Sequence, residues 1–239
     1  MKVFIILPAR LNSSRLHNKL IKKIGDKTLI EHMIISAKKI KDSKIIVSTD
    51  SMIIQDYAIK NNVDSLLSKN KFNNGTERSC FTAKKFNAKH NDIIVNLQAD
   101  EFNINIKDIN NLIKHLKTSK QSSIATLFYK TKDKSEYDNK NNVKLIIDKN
   151  NKAITFTRNT ISSMKTFYLI HVGVYAFKFK SLLNYSAMKL CDYEKNESLE
   201  QLRLIWNNVS IDCLEVKKNQ SIGINSARDL KKARELYEN

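Results

Sequence analysis

Proline and glycine are scarce in this chain, so the few that occur are informative. The 239 residues include one proline and four glycines. A glycine kept in such a sequence indicates an unusual backbone torsion or a close approach of another group. We therefore expect Pro8 to end a first strand, Gly75 to open a helix, Gly173 to interrupt a strand and Gly223 to precede the last helix.

Cysteine is also scarce, and long apolar runs are lacking. Cys80, Cys191 and Cys213 are odd in number and widely spaced, which excludes a disulfide framework and a zinc site and indicates a reducing compartment. No run is apolar enough to span a membrane, and Met1 and Lys2 lead directly into a strand. We therefore predict a cytoplasmic protein with neither signal peptide nor membrane insertion.

Acidic residues are outnumbered, with 24 Asp and Glu against 42 Lys and Arg, a formal charge of +18. Such an excess is compatible with nucleic acid, an anionic membrane face or an anionic substrate. The lysines, however, are spread along the chain beside asparagine and isoleucine, a bias that an AT-rich genome would also produce. No aromatic and basic run typical of single-strand binders occurs. We therefore predict no specific nucleic-acid partner.

The order of strand-like and helix-like segments predicts the fold class. They alternate through the first half, which indicates βαβ units and a parallel sheet. Later, Val143–Ile147 and Ala153–Thr157 flank a polar turn typical of an antiparallel hairpin, and Tyr168–Phe177 is a further strand-like run. We predict an α/β fold: a mostly parallel sheet flanked by helices, with an antiparallel insertion. The expected single domain, 1–239, comprises a core over 1–130, the insertion over about 131–195 and a return to the core over 196–239.

Three cations, Arg10, Arg15 and Lys19, follow the first strand-like run, Val3–Leu7. Open α/β sheets bind ligands at the carboxyl ends of their strands. Arginine supplies a planar fork and lysine a point charge, a combination that suits a pyrophosphate leaving group. No glycines flank Lys19, which excludes a Walker A loop. A solvated basic loop is the alternative.

Two further polar segments follow or precede regular elements. Asp100 and Glu101 come after the strongest predicted strand, Asp92–Leu97, where carboxylates can hold Mg²⁺ against nucleotide phosphates; a solvated turn is the alternative. The segment from Asn73 to Arg78 offers the free N–H groups of a helix N-terminus to a base, a ribose or an anion. Taken by itself, the segment favours the alternative, a simple N-cap by Thr76 or Asn74.

A predicted helix over Glu197–Trp206 has core spacing at Leu199, Leu202 and Trp206. This spacing leaves Glu200, Gln201 and Arg203 to face a site. His171, on the later strand-like run, either faces a ligand or is a satisfied structural residue.

Together these segments resemble the 3-deoxy-manno-octulosonate (Kdo) cytidylyltransferases. The motifs occur in the order and spacing of that family through nearly all of the chain: ILPARLNSSRLHNK, IIVSTD, NNGTER, VNLQADE, NNVKLIID with ITFTRNTI, HVGVYAF, LEQLRLIW and GINSARDL. The resemblance implies a Rossmann-like nucleotidyltransferase fold and Mg²⁺ dependence. It also implies a homodimer formed through the insertion, and a cytosolic role in supplying activated Kdo for lipopolysaccharide.

The resemblance also implies residue roles in the attack of the Kdo anomeric hydroxyl on the α-phosphorus of CTP. Arg10, Lys19 and Asp100 would be catalytic, Asp100 as the Mg²⁺ ligand. The predicted CTP contacts are Ala9, Arg10, Arg15, Lys19, Asn74, Gly75, Thr76 and Glu77. The predicted contacts of the eight-carbon sugar acid are Arg78, Gln98, Arg158, His171, Glu200 and Gln201.

Three departures from the family pattern occur. PGKP is replaced by His17-Asn18-Lys19-Leu20, and Ala99 replaces the glycine of QGDEP. The second expected metal ligand, an aspartate, is Asn225, whose neutral amide loses the charge attraction for Mg²⁺. We predict weaker metal binding without loss of activity.

Other functions compete with the transfer of CMP to Kdo. The acceptor could be 8-amino-Kdo or another acidic sugar. A glycosyltransferase on a related fold could use Asp100 and Glu101, although a loop with Arg10 and Lys19 suits a leaving pyrophosphate better. A basic RNA-binding protein is the non-enzymatic alternative.

Overall fold

The computed structural model describes residues 1–12, 16–161, 166–217 and 221–238. The strands are β1 (Val3–Ala9), β2 (Lys23–Ile24), β3 (Lys27–Thr28), β4 (Lys44–Thr49), β5 (Asp64–Leu67), β6 (Ile93–Leu97), β7 (Glu101–Phe102), β8 (Ile124–Thr131), β9 (Lys144–Ile147), β10 (Ala153–Thr157), β11 (Tyr168–Lys178), β12 (Asp212–Val216) and β13 (Ile222–Gly223). The helices are α1 (Leu29–Lys38), α2 (Met52–Lys60), α3 (Gly75–Lys85), α4 (Ile106–Thr118), α5 (Lys134–Asp138), α6 (Phe179–Ala187), α7 (Asp192–Glu197), α8 (Leu202–Trp206) and α9 (Ala227–Glu238), with a 3₁₀ helix at Lys19–Ile21.

Within these residues the main sheet has nine strands, and its centre is parallel. β1 pairs in parallel with β4 and β6, and β4 pairs in parallel with β5. The long strand β11 runs antiparallel to β6 and β8, and β9 and β10 join beside its first half. The predicted fold class, a mostly parallel α/β sheet with added antiparallel strands, is confirmed.

The sheet separates two apolar cores, as alternation along a strand buried on both faces requires. On β1, Val3, Ile5 and Leu7 face the core formed with α1 and α4. Phe4 and Ile6 face the other core, formed with α3 and α6. Because helices cover both faces, the sheet is open at the carboxyl ends of its parallel strands, which we call the open edge of the sheet.

The first strand differs slightly from the prediction, because it continues through Pro8 to Ala9. Pro8 is in register with Ser48 of β4, whereas the pairing with β6 ends at Ile6. The missing N–H of proline is tolerated where a strand has a neighbour on one side only.

The prediction of one helix over Glu197–Trp206 is wrong, because α7 and α8 are separate. Between them Ser198 adopts a left-handed conformation (φ 52°). Trp206 is 60% exposed and lies against Tyr193, so it is not a core residue. Arg203, predicted to face a site, is buried instead. The prediction extended one helical spacing across the interruption between α7 and α8.

The described helices include none with the length and apolarity that crossing a membrane requires. Cys80, Cys191 and Cys213 are buried free thiols.

Candidate active site

Arg10, Gln98 and Asp100 lie at one edge of the sheet because parallel strands end there. β1 ends at Ala9 before Arg10, β4 ends before Asp50, and β6 ends before Gln98. This edge is where open α/β sheets bind ligands.

Arg10 is exposed, and the buried guanidinium of Arg78 lies near it. The Asp50 carboxylate accepts a hydrogen bond from the Leu11 N–H (3.2 Å) and lies 3.7 Å from Nη2 of Arg78. Burial, together with the charge of Arg10 and against that of Asp50, lowers the pKa of Arg78. Its Nη1 has no hydrogen-bond partner among the described residues. Two neighbouring guanidinium groups, one of them incompletely paired, suit a polyanion.

Lys19 lies farther along the same edge, and Arg15 falls outside the described residues. The Lys19 ammonium pairs with the Asp100 carboxylate and donates a hydrogen bond to the Ile224 carbonyl (3.2 Å). Ile224 directly follows β13, which pairs with β7, and its N–H donates to the Asp100 carbonyl (2.9 Å). Asp100 and Ile224 follow Lys19 in sequence by 81 and 205 residues.

Glu101 explains two of the rare glycines. Its Oε1 would lie 3.2 Å from a Cβ at Gly173 and 3.3 Å from one at Gly223. Burial, and next the charge of Asp100, raises the pKa of Glu101 to about 7. Gly173 lies at the bulge of β11 and Gly223 lies before α9, as predicted. A Cβ at either position would be in tight contact with this carboxyl group, which favours glycine there.

A metal site made of protein groups alone does not occur in the described residues, which include no suitable group of three His, Cys, Asp or Glu side chains. Asp229 accepts hydrogen bonds from the N–H groups of Asn225 (3.1 Å) and Ser226 (2.8 Å), so it caps α9. Of the two adjacent carboxyl groups, Asp100 is partly exposed, whereas Glu101 is directed at the backbone of Gly173 and Gly223. A single carboxylate fits Mg²⁺ when the ion also binds substrate phosphates and water.

The turn before α3 uses its side chains to join helices. Asn74 caps α3 by accepting from the Glu77 N–H (2.9 Å), and its Nδ2 donates to the Tyr185 hydroxyl (2.8 Å). Thr76 donates to Glu200 (2.6 Å). The predicted role of this turn in CTP binding stays a prediction, and it depends on the backbone and on Gly75.

A cavity of about 430 Å³ opens beside this turn. It is lined by the predicted sugar-acid residues Gln98, Arg158, His171, Glu200 and Gln201. The structure places the sixth, Arg78, beside Asp50 and Arg10 instead. The volume is within the range of small-molecule sites.

The cavity lining includes the cations Arg158 and Lys195, the carboxyl groups of Glu194 and Glu200, and the imidazole of His171. Thr126 donates to the Val174 carbonyl (2.7 Å), so Nε2 of His171 donates to the Thr126 hydroxyl (2.8 Å). Burial lowers the pKa of His171 to about 3 and raises that of Glu200. Arg158 donates from Nε to the Glu197 carbonyl (3.0 Å) and lies at the cavity wall. A guanidinium among hydrogen-bonding groups suits a hydroxylated carboxylic acid.

Sequence reasoning missed Tyr175, which also lines the cavity. His171, Gly173 and Tyr175 are two residues apart on β11, so strand alternation could have placed them on one face.

The sequence did not predict the ion pairs that Arg203 forms with Glu77 and Glu194. Arg203 is 1% exposed and donates to both carboxylate oxygens of Glu194 (2.7 Å each) and to Glu77 (3.0 Å). Its guanidinium stacks on the Tyr185 ring at 4.5 Å. No spacing signal predicts these contacts, because they join α3, α6, α7 and α8.

Comparison with known proteins identifies the class. The model of the cytidylyltransferase family matches residues 4–211. The solved structure of a CMP:2-keto-3-deoxy-manno-octonic acid synthetase complexed with CTP superimposes with a TM-score of 0.90 at 29% identity, covering 100% of this chain and 99% of the other. The fold and the site therefore define a cytidylyltransferase.

Two curated relatives identify the family within that class. The 3-deoxy-manno-octulosonate cytidylyltransferase of Fusobacterium nucleatum subsp. nucleatum is 36% identical, over 96% of this chain and 94% of its own length. That of Francisella tularensis subsp. holarctica (strain LVS) is 33% identical, over 98% of both chains. The chain belongs to the family of the 3-deoxy-manno-octulosonate cytidylyltransferases.

Proposed function

We propose that this chain transfers CMP from CTP to the anomeric hydroxyl of Kdo, giving CMP-Kdo and pyrophosphate. The observation that carries the proposal is the contact of Gly75 with Gln98. A Cβ at Gly75 would lie 3.1 Å from Nε2 of Gln98, and Gln98 lines the cavity. The proposed nucleotide turn and the proposed sugar-acid cavity therefore share a wall, which brings two substrates together.

The chain's own residues act by positioning and by neutralising charge. Arg10 and Lys19, with Arg78 close by, bind the triphosphate at the sheet edge. Arg158 binds the sugar carboxylate. The new bond forms between the anomeric oxygen and the α-phosphorus. The bond between the α-phosphorus and the oxygen that bridges to the β-phosphorus breaks, pyrophosphate leaves, and the hydroxyl proton is released.

His171 and Gln201 line the same cavity. In the proposed complex both orient the sugar hydroxyls through hydrogen bonds. A neutral imidazole suits this role, since it leaves the carboxylate to Arg158.

We also propose Mg²⁺ as the cofactor. Asp100 would hold it, and the bound ion supplies charge neutralisation at the phosphate oxygens. This assignment is supported by the position of Asp100 at the end of β6, on the same edge as Arg10.

The proposed setting is that of the family: a cytoplasmic homodimer that supplies activated Kdo for lipopolysaccharide. The dimer is supported by β10, which among the described strands pairs only with β9 and exposes Ile154 (51%). Light scattering on the wild type and on Ile154→Glu tests it, with a shift to monomer expected for the variant.

The activity is tested by product identification after incubation with CTP, Kdo and Mg²⁺. Mass spectrometry is expected to detect CMP-Kdo, with one pyrophosphate for each CTP consumed. Arg10→Ala should lower kcat/KM by about a hundredfold or more, the effect of removing a charged phosphate contact, while the exposed control Lys23→Ala should not. Failure to form CMP-Kdo would refute the proposal.

A further inference from the structure

We infer that Lys19 keeps Asp100 from binding metal in the nucleotide-free protein, so that Asp100 becomes a metal ligand only when a triphosphate draws Lys19 away. The inference rests on the proposed function, since it concerns how the same site is assembled. It gives Lys19 a positioning role in addition to phosphate binding.

The first observation is where the Lys19 ammonium lies. It contacts the Asp100 carboxylate and the Ile224 carbonyl, two oxygen ligands from different loops. A divalent cation bound to Asp100 would need the carboxylate oxygen that the ammonium contacts. The Lys19 side chain is only 13% exposed, unlike a lysine in a solvated surface pair.

The second observation is that the backbone fixes both partners. Asn18 adopts a left-handed conformation (φ 53°), and the following 3₁₀ helix Lys19–Ile21 anchors Leu20 in the core at 2% exposure. On the other side, the Ile224 N–H donates to the Asp100 carbonyl (2.9 Å). The ion pair is therefore part of a defined loop arrangement.

The third observation is the charge around Asp100. Residue 225 carries a neutral amide, and the Asp229 carboxylate caps α9. With Lys19 paired to it, Asp100 presents no net negative charge to a metal ion. A polyanionic triphosphate competes for Lys19 and brings its own oxygens, so nucleotide and metal binding become coupled.

The test measures Mn²⁺ binding from the free-ion signal in electron paramagnetic resonance, without nucleotide or sugar. Lys19→Met and Lys19→Gln are expected to bind Mn²⁺ at least about tenfold more tightly than the wild type, because a charged hydrogen bond to Asp100 is lost. The control Lys23→Met removes an exposed lysine four residues away and should bind as the wild type does. Adding Asp100→Asn to Lys19→Met should abolish the gain.

Equal Mn²⁺ affinity in the wild type and in both Lys19 variants would overturn the inference. So would a gain that persists in Lys19→Met/Asp100→Asn, since the ion would then lie elsewhere. Thermal unfolding of each variant confirms that folded protein is compared. Neither outcome depends on CMP transfer, which product formation by the wild type measures separately.

Discussion

The carboxamide of Gln98 lies against the backbone of Gly75, so that a Cβ on Gly75 would be 3.1 Å from Nε2 and 3.2 Å from Oε1. The Cγ of Pro8, at the end of β1, would lie 3.2 Å away on another side. A methyl group at Gly75 therefore requires the Gln98 side chain to shift by a few tenths of an ångström, because Pro8 belongs to a strand held in the sheet.

Gly75→Ala is expected to raise the KM for the sugar acid several-fold, since the displaced Gln98 moves into the cavity. Steady-state kinetics with varied acceptor measure the effect. In a Gln98→Ala background the same substitution should have little further effect on that KM, because the displaced group is absent. An equal effect in both backgrounds would show that Gly75 acts independently of Gln98.

Arg203→Met is expected to lower the free energy of unfolding by about 3–5 kcal/mol, because it leaves buried carboxylates without their counter-charge. The affected groups are Glu194 and Glu77. Urea denaturation measures the loss, and Arg228→Met on the exposed face of α9 serves as the control. A loss no larger than that of the control would contradict the assigned role of Arg203.

The same cluster predicts a pH dependence. Hydrogen bonds from Asn73 and Arg203, against the opposing effect of burial, hold the pKa of Glu77 below its ordinary value of 4.5. A carboxyl with a depressed folded-state pKa adds stability above its unfolded-state pKa, and this stability is lost as pH falls through the folded-state value. Glu77→Gln should therefore be less stable than the wild type near neutral pH, and the difference should shrink below about pH 4. A difference that is constant with pH would contradict this assignment.

His171→Asn is expected to raise the KM for the sugar acid without changing the shape of the pH profile of kcat/KM between about pH 5 and 8. The physical reason is burial, which lowers the pKa of His171 to about 3 and keeps the imidazole neutral throughout that range. Loss of an acidic limb in the variant would instead identify His171 as a titrating group in the reaction.

Asn225→Asp is expected to lower the Mg²⁺ concentration needed for half-maximal pyrophosphate release, because it adds a negative charge next to Ile224, whose N–H donates to the Asp100 carbonyl. Asn111→Asp, at an exposed position of α4, adds the same charge far from that loop and serves as the control. An unchanged Mg²⁺ requirement in Asn225→Asp would contradict the prediction that the native asparagine weakens metal binding.

The sequence predicts a strand well where a single apolar run corresponds to that strand. β1 and β6 are short, rich in valine and isoleucine, and buried on both faces. Polar residues follow each of them at the open edge of the sheet. Such local patterns suffice to place Arg10 and Asp100 at that edge, because parallel strands end there together.

The sequence fails where contacts join distant segments. The pairing of Lys19 with Asp100 and the burial of Arg203 depend on how loops and short helices meet, which local periodicity does not encode. The helix is interrupted at Ser198, where no glycine or proline indicates an end. The predicted helix therefore continued to Trp206 and wrongly placed it in the core.

The transfer of CMP to Kdo at this site is tested most directly by comparing nucleotides and acceptors. Pyrophosphate release is measured with each of the four nucleoside triphosphates, using Kdo, 8-amino-Kdo and sialic acid in turn as acceptor. The kcat/KM is expected to be highest for CTP with Kdo. Release from CTP with none of the three acceptors, or a clear preference for another triphosphate or acceptor, would contradict it.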